Sequence, residues 1–597
     1  MSAHTSPRQP WRGAVLLVFA AAAGTLLPLA GGPPLGDHEC LHAQVSRQML
    51  QSGNWLVSHY GEAVYGNKPP LKSWLTAATA RLLEPSSDMP VTPFSARFPS
   101  AVAGLLTVLI LWRLGVSMFG VDVGLTTGLV AASTFAILFY ANNGMMEMTV
   151  AATAVWAFAE FWWATHAATR RGRWLHFLLF YMALGLGVLA KGPVPLALVG
   201  MPLAVWWFVH RPVRLALAGA WDRRFAAATV GQQFVRAFTR TWLLPGLLIF
   251  LASFGWWALA AYLKQPDIIW IWHAQFIGHA TGEMLHSSPR DHFYYLPYAF
   301  ALTVPWLLSV PEATVSPFLT RYRRYRRPLL YACCWWLVGL LVLSLVVASK
   351  RPHYLLSSVG GAVLLLGVVL HRLFSPIPQP SRKLLMTICI AVPTCLGGGL
   401  LAAWIWVHQN APAASASVAV VALLTVAGFT ASAVAYLQGR RTLSFGLMPA
   451  TMITVFVSGW LWIGPHLGLD TQARDVLLAI EAADIDPAAE IYWGDRRPDA
   501  RVVFYGRRDI RYIMTPMEVE AELEGRPRDR HDLELRVADR IRNLLEGDKP
   551  VYVVMRAGNW GRLSNVLGVE GHILEIIDSR RSDPDDSLVI VTNKPTG

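Results

Sequence analysis

Residues 13–31 read GAVLLVFAAAAGTLLPLAG, and the polar tetrapeptide GDHE follows at residues 36–39. Because about 20 apolar residues suffice for one helix to cross a bilayer core, the run predicts a membrane span. Titratable side chains at the end of such a span are costly to place, which marks them as a candidate functional site. The tetrapeptide opens a long polar loop, residues 32–95, that carries KPP at residues 68–70. A carboxylate and a lysine in one loop beside a bilayer suit an enzyme that handles a phosphate on a lipid.

The composition excludes an ordinary soluble protein. Of the 597 residues, 54% are hydrophobic and only 15% are charged, whereas a soluble domain has roughly a quarter of charged residues. The formal net charge is +13, but the basic residues lie in short blocks between apolar stretches. Since the positive-inside rule accounts for such blocks, we expect no nucleic acid as a partner.

Apolar stretches long enough to cross a bilayer recur along the chain. We count about thirteen, which predicts an α-helical polytopic membrane protein with a transmembrane domain over residues 1–465. The approximate spans are 13–31, 97–117, 123–141, 149–166, 174–190, 193–209, 242–263, 293–311, 328–348, 354–371, 383–407, 414–437 and 443–465.

The basic blocks predict the orientation of the spans. Blocks at residues 170–173, 211–240, 321–327 and 440–441 fall in connections that share one side when the N-terminus is cytoplasmic. Because cytoplasmic loops are enriched in Lys and Arg, the loop 32–95 is expected on the outer side of the inner (plasma) membrane. An odd number of spans places the C-terminal region on that outer side as well.

The chain changes character after about residue 466. Strand-like runs occur at residues 490–493, 501–505, 551–555 and 588–591, with a charged helical stretch at about 517–546. Strands separated by helices predict a small soluble α/β domain over residues 466–597. Its sequence contains no Gly-rich phosphate loop and no catalytic constellation, so we interpret it as a docking or stabilising domain.

The first outer loop carries the clearest candidate residues. Within residues 40–52, apolar residues recur at three- and four-residue spacing, which predicts an amphipathic helix along the membrane surface. Glu39 would lie near the start of this helix, where a carboxylate can simply cap unpaired backbone N–H groups. Lys68, stiffened by the two prolines that follow it, can anchor a phosphate as a point charge. The alternative is an interfacial lysine that contacts ordinary lipid headgroups.

An ordered series of motifs resembles a known family. After the acidic motif come SRQMLQSGNW at residues 46–55, NKPPL at 67–71 and FSARFPSA at 94–101. The series continues with VLAKGP at residues 188–193, HFYYLP at 292–297 and SKRPHYLL at 349–356. The pattern resembles that of the membrane glycosyltransferases, the superfamily of protein O-mannosyltransferases and aminoarabinose (lipid A) transferases.

The resemblance implies a GT-C-like fold and an inverting hexosyl- or pentosyltransferase. Its donor would be a sugar on a polyprenyl phosphate, and its acceptor an envelope lipid such as lipid A, a protein or a glycan on the outer face. Membrane lipids are the remaining expected partners. The chemistry requires no cofactor, although the family leaves room for a divalent metal.

The resemblance also assigns roles to individual positions. A carboxylate of the first loop would act as general base toward an acceptor hydroxyl, or would orient an acceptor that is already a phosphate. The catalytic candidates are Asp37, Glu39 and Glu147. Cations are needed at the departing lipid phosphate, and the candidates are Lys68, Lys191, Arg290, Lys350 and Arg351. Further pocket residues would be His38, His353, Tyr294 and Tyr295.

The acidic motif departs from the family pattern, in which Asp and Glu are adjacent. Counting back from Arg47 places His38 on the family's catalytic Asp, whereas a one-residue shift restores Asp37 to that place. Because only a carboxylate matches the expected chemistry, His38 does not fit this place. We favour Asp37, which the one-residue shift restores, over Glu39 as the base. The family often has Glu before Lys-Pro, and Asn67 stands there instead, which removes one candidate metal ligand and argues against a bound metal.

Two further polar sites have simple alternative explanations. Glu147 stands where a span begins, and the helix dipole alone favours an anion there. The outer segment 264–292 is rich in His and carboxylates, which are zinc ligand types, but their spacing follows no standard motif. The weak metal candidates are His273, His279, Glu283 and His286.

Two other classes of protein stay open at this point. A transporter or lipid flippase would place ionisable residues in the middle of its spans and would show internal repeats. The charged residues gather in loops instead, and no repeat is evident. A structural scaffold for envelope assembly would depend on the C-terminal domain, so deleting that domain separates a scaffold from an enzyme with an active membrane core.

Overall fold

The computed structural model describes residues 10–597 except 62, 67, 86–89, 218–231, 233–240, 274–290, 348–349, 376–398, 401, 410–411, 468–470, 483–488, 495–499, 507–509, 514–526, 569–570, 578–586 and 594–597. The chain divides into two units. The helical unit comprises Met1–Pro33, Arg97–Ala260 and Pro289–Leu467, and the mixed unit comprises Pro34–Ala96, Ala261–Ser288 and Gly468–Gly597. The first outer loop thus groups with the C-terminal residues, and the domain boundary at residues 465/466 stays a prediction.

The helical unit consists of apolar helices. Its α-helices are Pro10–Leu26, Pro93–Phe119, Val121–Ser133, Phe135–Ala141, Glu147–His166, Arg170–Lys191, Val194–Leu217, Leu243–Lys264, Tyr295–Ala301, Val310–Val315, Arg326–Leu345, Leu356–Leu373, Ser415–Leu437 and Arg441–Ser458. Within the described residues, nine helices are long and apolar enough to cross a membrane, or ten if Val121–Ser133 and Phe135–Ala141, bent by 54°, form one span. The prediction of a polytopic membrane protein is therefore confirmed.

Two predicted spans do not appear as single helices in the described residues. The predicted span 293–311 is wrong as a single helix, because the structure has the short helix Tyr295–Ala301 followed by turns and the helix Val310–Val315. Pro305 and Pro311 lack the backbone N–H that a continuous helix requires, which explains the break. Most of the predicted span 383–407 lies outside the described residues, so the count of about thirteen stays a prediction.

Small residues allow two central helices to approach closely. The helix Leu356–Leu373 is buried along almost its whole length. A Cβ atom on Gly361 would lie 2.7 Å from the carbonyl oxygen of Ala332 and 2.8 Å from the backbone nitrogen of Trp336 in the helix Arg326–Leu345. Close backbone approach of this kind maximises van der Waals packing, on which helix association in lipid depends.

Replacing Gly361 by Ala is expected to push these two helices apart. The added methyl meets backbone atoms that cannot rotate away, so we expect a loss of stability of about 1–3 kcal/mol, as in other overpacked interiors. Thermal unfolding of the purified protein in detergent measures the effect. Gly446→Ala is the matched control, because a Cβ at Gly446 meets no atom within 4 Å. Equal melting temperatures for the two variants would contradict this account of the packing.

The mixed unit contains the strands. A hairpin in the first loop pairs β1 (His59–Tyr60) with β2 (Ala63–Val64). The main sheet is built from β3 (Glu490–Trp493), β4 (Ile510–Tyr512), β5 (Val551–Arg556), β6 (His572–Ile577) and β7 (Leu588–Thr592). Its order is β4-β3-β5-β7-β6, with β3 parallel to β4 and β5, and β7 antiparallel to β5 and β6. The accompanying helices are Asp37–Ser52, Leu71–Leu83, Ile268–His273, Thr471–Ala482, Ala500–Tyr505, Pro527–Leu545 and Ala557–Leu567.

The predicted C-terminal α/β region is confirmed, with one wrong element. Residues 501–505 were expected as a strand but form most of the helix Ala500–Tyr505. A short apolar run does not distinguish a buried strand from a buried helix by its periodicity. Here Val502, Val503 and Phe504 are all buried, so their apolar character fits either element.

Candidate active site

Glu147, Lys191 and His353 come together in the helical unit. Glu147 is the first residue of the helix Glu147–His166, where the helix dipole favours an anion. Lys191 is the last residue of the helix Arg170–Lys191, and His353 belongs to the short turn that precedes Leu356–Leu373. The Lys191 Nζ donates to Glu147 Oε1 at 2.7 Å, and His353 Nε2 lies 3.4 Å from the same oxygen.

Burial makes this cluster more than a surface ion pair. The side chains of Lys191 and Glu147 are only 11% and 5% exposed, so their attraction is screened less than that of an exposed pair. The ammonium of Lys191 also lies 4.6 Å from the centre of the Tyr354 ring, in cation–π geometry. The ring of Tyr140 packs edge-on against His353, with ring centres 6.4 Å apart. The cluster therefore holds a lysine in a fixed position among aromatic rings.

The tyrosine motif and the basic motif of the helical unit also meet. The hydroxyl of Tyr295, a fully buried residue, accepts a hydrogen bond from the backbone N–H of Arg351 at 3.2 Å. The ring of Tyr294 packs edge-on against that of Tyr295, with centres 5.2 Å apart. Lys350 is buried and Arg351 is exposed. The bond from Arg351 to Tyr295 thus fixes the backbone that carries two of the predicted phosphate-binding residues.

Asp37, His38 and Glu39 form the first turn of the helix Asp37–Ser52, which we call the loop helix. The helix predicted over residues 40–52 is therefore present, whereas its position along the membrane surface stays a prediction. The buried Glu39 accepts a hydrogen bond from the backbone N–H of Gly36 through Oε2 at 2.9 Å. Helix capping, the simple alternative for Glu39, therefore occurs in the structure. His38 is exposed, and Asp37 is half-buried.

The Asp37 carboxylate is held by a distant part of the chain. Its Oδ1 accepts a hydrogen bond from the backbone N–H of Ala500 at 3.1 Å. Ala500 is the first residue of the helix Ala500–Tyr505, which we call the docking helix. The two carboxylates of the acidic motif thus have different surroundings, since Glu39 caps its own helix and Asp37 is oriented from outside it.

The other residues proposed from the sequence have a position in the structure or lie outside the described residues. Lys68 is half-buried, three residues before the helix Leu71–Leu83 begins. His273 is exposed at the end of the helix Ile268–His273. The remaining candidates lie outside the described residues: Arg290, His279, Glu283 and His286. In the described part of the chain, no group of three or more His, Cys, Asp or Glu side chains is placed to hold a metal ion.

Two residues in contact with the candidates, Tyr354 and Tyr140, were not singled out from the sequence. Tyr354 stands inside the motif at residues 349–356, so its position there was a usable signal. Tyr140 stands in a run that reads simply as an apolar segment. A local pattern holds no information about a contact with a residue hundreds of positions away, and only the fold reveals it.

Comparisons with known proteins agree with the motifs. The family model described as dolichyl-phosphate-mannose-protein mannosyltransferase matches residues 67–231. A protein of Proteus mirabilis named undecaprenyl phosphate-alpha-4-amino-4-deoxy-L-arabinose arabinosyl transferase 2 is 27% identical over 363 residues, which cover 59% of this chain and 58% of that protein. Aeromonas salmonicida has a protein with the same name except for the final 2. It is 24% identical to this chain, over 82% of this chain and 85% of its own length. The match to the Proteus protein thus spans less than two thirds of its length.

Solved structures show the same fold. ArnT from Cupriavidus metallidurans, in a crystal structure with bound undecaprenyl phosphate, superposes with a TM-score of 0.76 and 22% identity over 98% of this chain and 99% of its own. The oligosaccharyltransferase AglB from Archaeoglobus fulgidus gives a TM-score of 0.50 at 13% identity, over 92% of this chain and 70% of its own.

The chain is thus a multi-pass membrane protein with the GT-C fold of the membrane glycosyltransferases. The resemblance stated from the motifs, to the superfamily of protein O-mannosyltransferases and aminoarabinose transferases, is confirmed. Its sequence is similar to the undecaprenyl phosphate aminoarabinose transferases of Proteus and Aeromonas.

Proposed function

We propose that this chain is an integral-membrane inverting glycosyltransferase that moves a sugar from a polyprenyl-phosphate donor to an envelope acceptor. The observation that carries the proposal is the name shared by the two curated relatives, which specifies a sugar on undecaprenyl phosphate. The solved structure with the same fold binds undecaprenyl phosphate, which supports the same class of donor. Aminoarabinose on undecaprenyl phosphate is accordingly the first donor to test.

The reaction is a single displacement at the anomeric carbon. An acceptor oxygen attacks that carbon from the face opposite the lipid phosphate, the bond from the carbon to the phosphate oxygen breaks, and the configuration inverts. Asp37 takes the proton of an acceptor hydroxyl as the new bond forms. If the acceptor is already a phosphate, Asp37 orients it instead. The products are the glycosylated acceptor and the free lipid phosphate.

The departing lipid phosphate gains negative charge, and cations at fixed positions stabilise it most effectively. Lys191 suits this role because Glu147 and the Tyr354 ring hold its ammonium in place. Lys350 and Arg351 are further candidates, because the Tyr295 hydroxyl holds the backbone at Arg351. Lys68 and Arg290 stay sequence-based proposals for the same role.

We also propose an orientation. The basic blocks at residues 170–173 and 321–327 support a cytoplasmic N-terminus in the inner (plasma) membrane. The first outer loop and the C-terminal residues then lie on the extracytoplasmic side. This side is the one on which a lipid, protein or glycan of the envelope can serve as acceptor.

Mass spectrometry of lipids and glycoproteins tests the proposed activity. Cells that lack the protein are expected to lose one envelope glycan and to accumulate its polyprenyl-phosphate sugar, and the wild-type gene should reverse both changes. Complementation with Asp37→Asn should fail, whereas Asp122→Asn, which alters an exposed carboxylate elsewhere, should succeed. Unchanged lipids and glycoproteins in the deletion strain would rule out the transferase.

A further inference from the structure

Three hydrogen bonds join the loop helix and Leu35, two residues before it, to the docking helix. The backbone N–H of Leu35 donates to the Tyr505 hydroxyl at 2.8 Å, and the backbone N–H of Ala500 donates to Asp37 at 3.1 Å. Farther along the loop helix, Arg47 donates through a guanidinium nitrogen to the carbonyl of Phe504 at 3.0 Å. Asp37 and Arg47 are ten residues apart, about 15 Å along a helix. The loop helix is thus held at Asp37 and again at Arg47. Two contacts this far apart fix the direction of the helix as well as its position.

Arg47 is a buried charged residue in the contact between the loop helix and the docking helix. Arg47 is only 8% exposed, and burial of a charged group is costly unless it is hydrogen-bonded. Its guanidinium carbon also lies 4.3 Å from the centre of the Phe504 ring, in cation–π geometry. Apolar contacts already join the two helices, in a buried cluster that includes Leu35, Cys40, Leu41, Ala43, Val45, Ala500 and Phe504. The polar contacts therefore add directional restraint to a contact that hydrophobic burial already stabilises.

Two of these contacts lie beside the candidate base, and the Arg47 contact fixes the direction of the helix that carries it. Leu35 is two residues before Asp37, so the bond from Leu35 to Tyr505 restrains the backbone at the entry of the loop helix. The bond from Ala500 restrains the Asp37 side chain itself, since a carboxylate with one fixed oxygen has few rotamers left. We propose that Arg47 and Tyr505 are positioning residues, through which the C-terminal part of the chain sets the orientation of the Asp37 carboxylate. This inference rests on the proposed function, in which Asp37 is the general base.

The positioning role makes a specific kinetic prediction. Tyr505→Phe removes only the hydroxyl that accepts from Leu35, so the apolar contacts of the ring remain. We expect kcat of sugar transfer to fall about 10- to 100-fold, the loss that follows from a misplaced catalytic group. The KM for the polyprenyl-phosphate sugar should stay within about twofold, because the donor phosphate is bound by other residues. Arg47→Lys, which keeps a charge and a donor, should retain more activity than Arg47→Met.

Hydrogen exchange of the full-length protein in detergent gives an independent measurement. Faster exchange of backbone amides in residues 36–52 is expected for Tyr505→Phe, without a general loss of protection. Tyr492→Phe is the matched control, because it removes a tyrosine hydroxyl that donates to Glu490 in the same unit. This control should leave both kcat and the exchange of residues 36–52 unchanged.

The outcomes separate the positioning role from the proposed function. In Tyr505→Phe, faster exchange of residues 36–52 with an unchanged kcat would overturn the positioning role. Unchanged exchange of these residues would also overturn it. If Tyr505→Phe does not fold, kcat and hydrogen exchange are measured for Arg47→Lys and Arg47→Met instead. Equal kcat values for these two Arg47 variants would overturn the inference. If the wild-type protein transfers no sugar, the proposed function and the kinetic role both fail, while the exchange data still show whether the docking helix restrains the loop helix.

Discussion

Replacing Asp37 by Asn is expected to lower kcat of sugar transfer by about 10²–10⁴-fold, the usual contribution of a general base. The amide has the shape of the carboxylate and keeps an oxygen that can accept from the Ala500 N–H. The variant therefore removes the basic oxygen without removing the contact that orients the side chain. Turnover of a purified, reconstituted protein with a polyprenyl-phosphate sugar and its acceptor measures the effect.

Glu39→Gln is the paired variant for this experiment. The amide oxygen of the new side chain can still accept from the Gly36 N–H, which is the capping contact of Glu39 in the structure. Activity close to that of the wild type is therefore expected. Full activity of Asp37→Asn together with loss of activity in Glu39→Gln would transfer the role of base to Glu39. If both variants are fully active, neither carboxylate acts as the base.

Replacing Glu147 by Ala is expected to have the largest effect on stability. The change leaves the ammonium of Lys191 buried without the carboxylate that lies 2.7 Å from it. Breaking a buried ion pair by removing one partner costs about 3–5 kcal/mol, because the other charge stays desolvated. A lower melting temperature in detergent is the expected result, together with reduced sugar transfer.

Two further variants test this explanation. Adding Lys191→Met to Glu147→Ala removes the stranded charge, so part of the lost stability should return, although activity should not. Asp539→Asn breaks an exposed ion pair with Arg542, in which the Asp539 side chain is 65% exposed, and should cost less than about 1 kcal/mol. A Glu147→Ala variant as stable as Asp539→Asn would mean that the buried pair contributes little.

Local features of the sequence predicted much of the molecule for identifiable reasons. Apolar runs of span length marked the membrane helices because the bilayer sets a minimum length. The three- and four-residue spacing over residues 40–52 predicted the loop helix by its period, although residues 39–47 of that helix are buried on every face. The broken segment 293–311 shows the limit of this reasoning, since hydropathy alone ignores the missing N–H groups of its prolines.

The candidate site was predictable by residue type but not by arrangement. The resemblance named Glu147, Lys191 and His353, yet these residues belong to three separate segments, and nothing local shows that one oxygen of Glu147 meets both of the other side chains. The docking helix was read as a strand, because the apolar run at residues 501–505 fits either element when its partner is unknown. Its burial against the loop helix supplied the missing information.

The sequence by itself indicated which segments are apolar enough to cross a membrane, the resemblance to a superfamily and the residue types available for chemistry, because hydrophobicity and motif order are local properties of the chain. The tertiary structure alone decided which of those residues are held and by what. The Glu147–Lys191 pair spans 44 positions, and the bond from Ala500 to Asp37 spans 463. Contacts at such separations depend on how the whole chain buries its apolar surface, which no local pattern encodes.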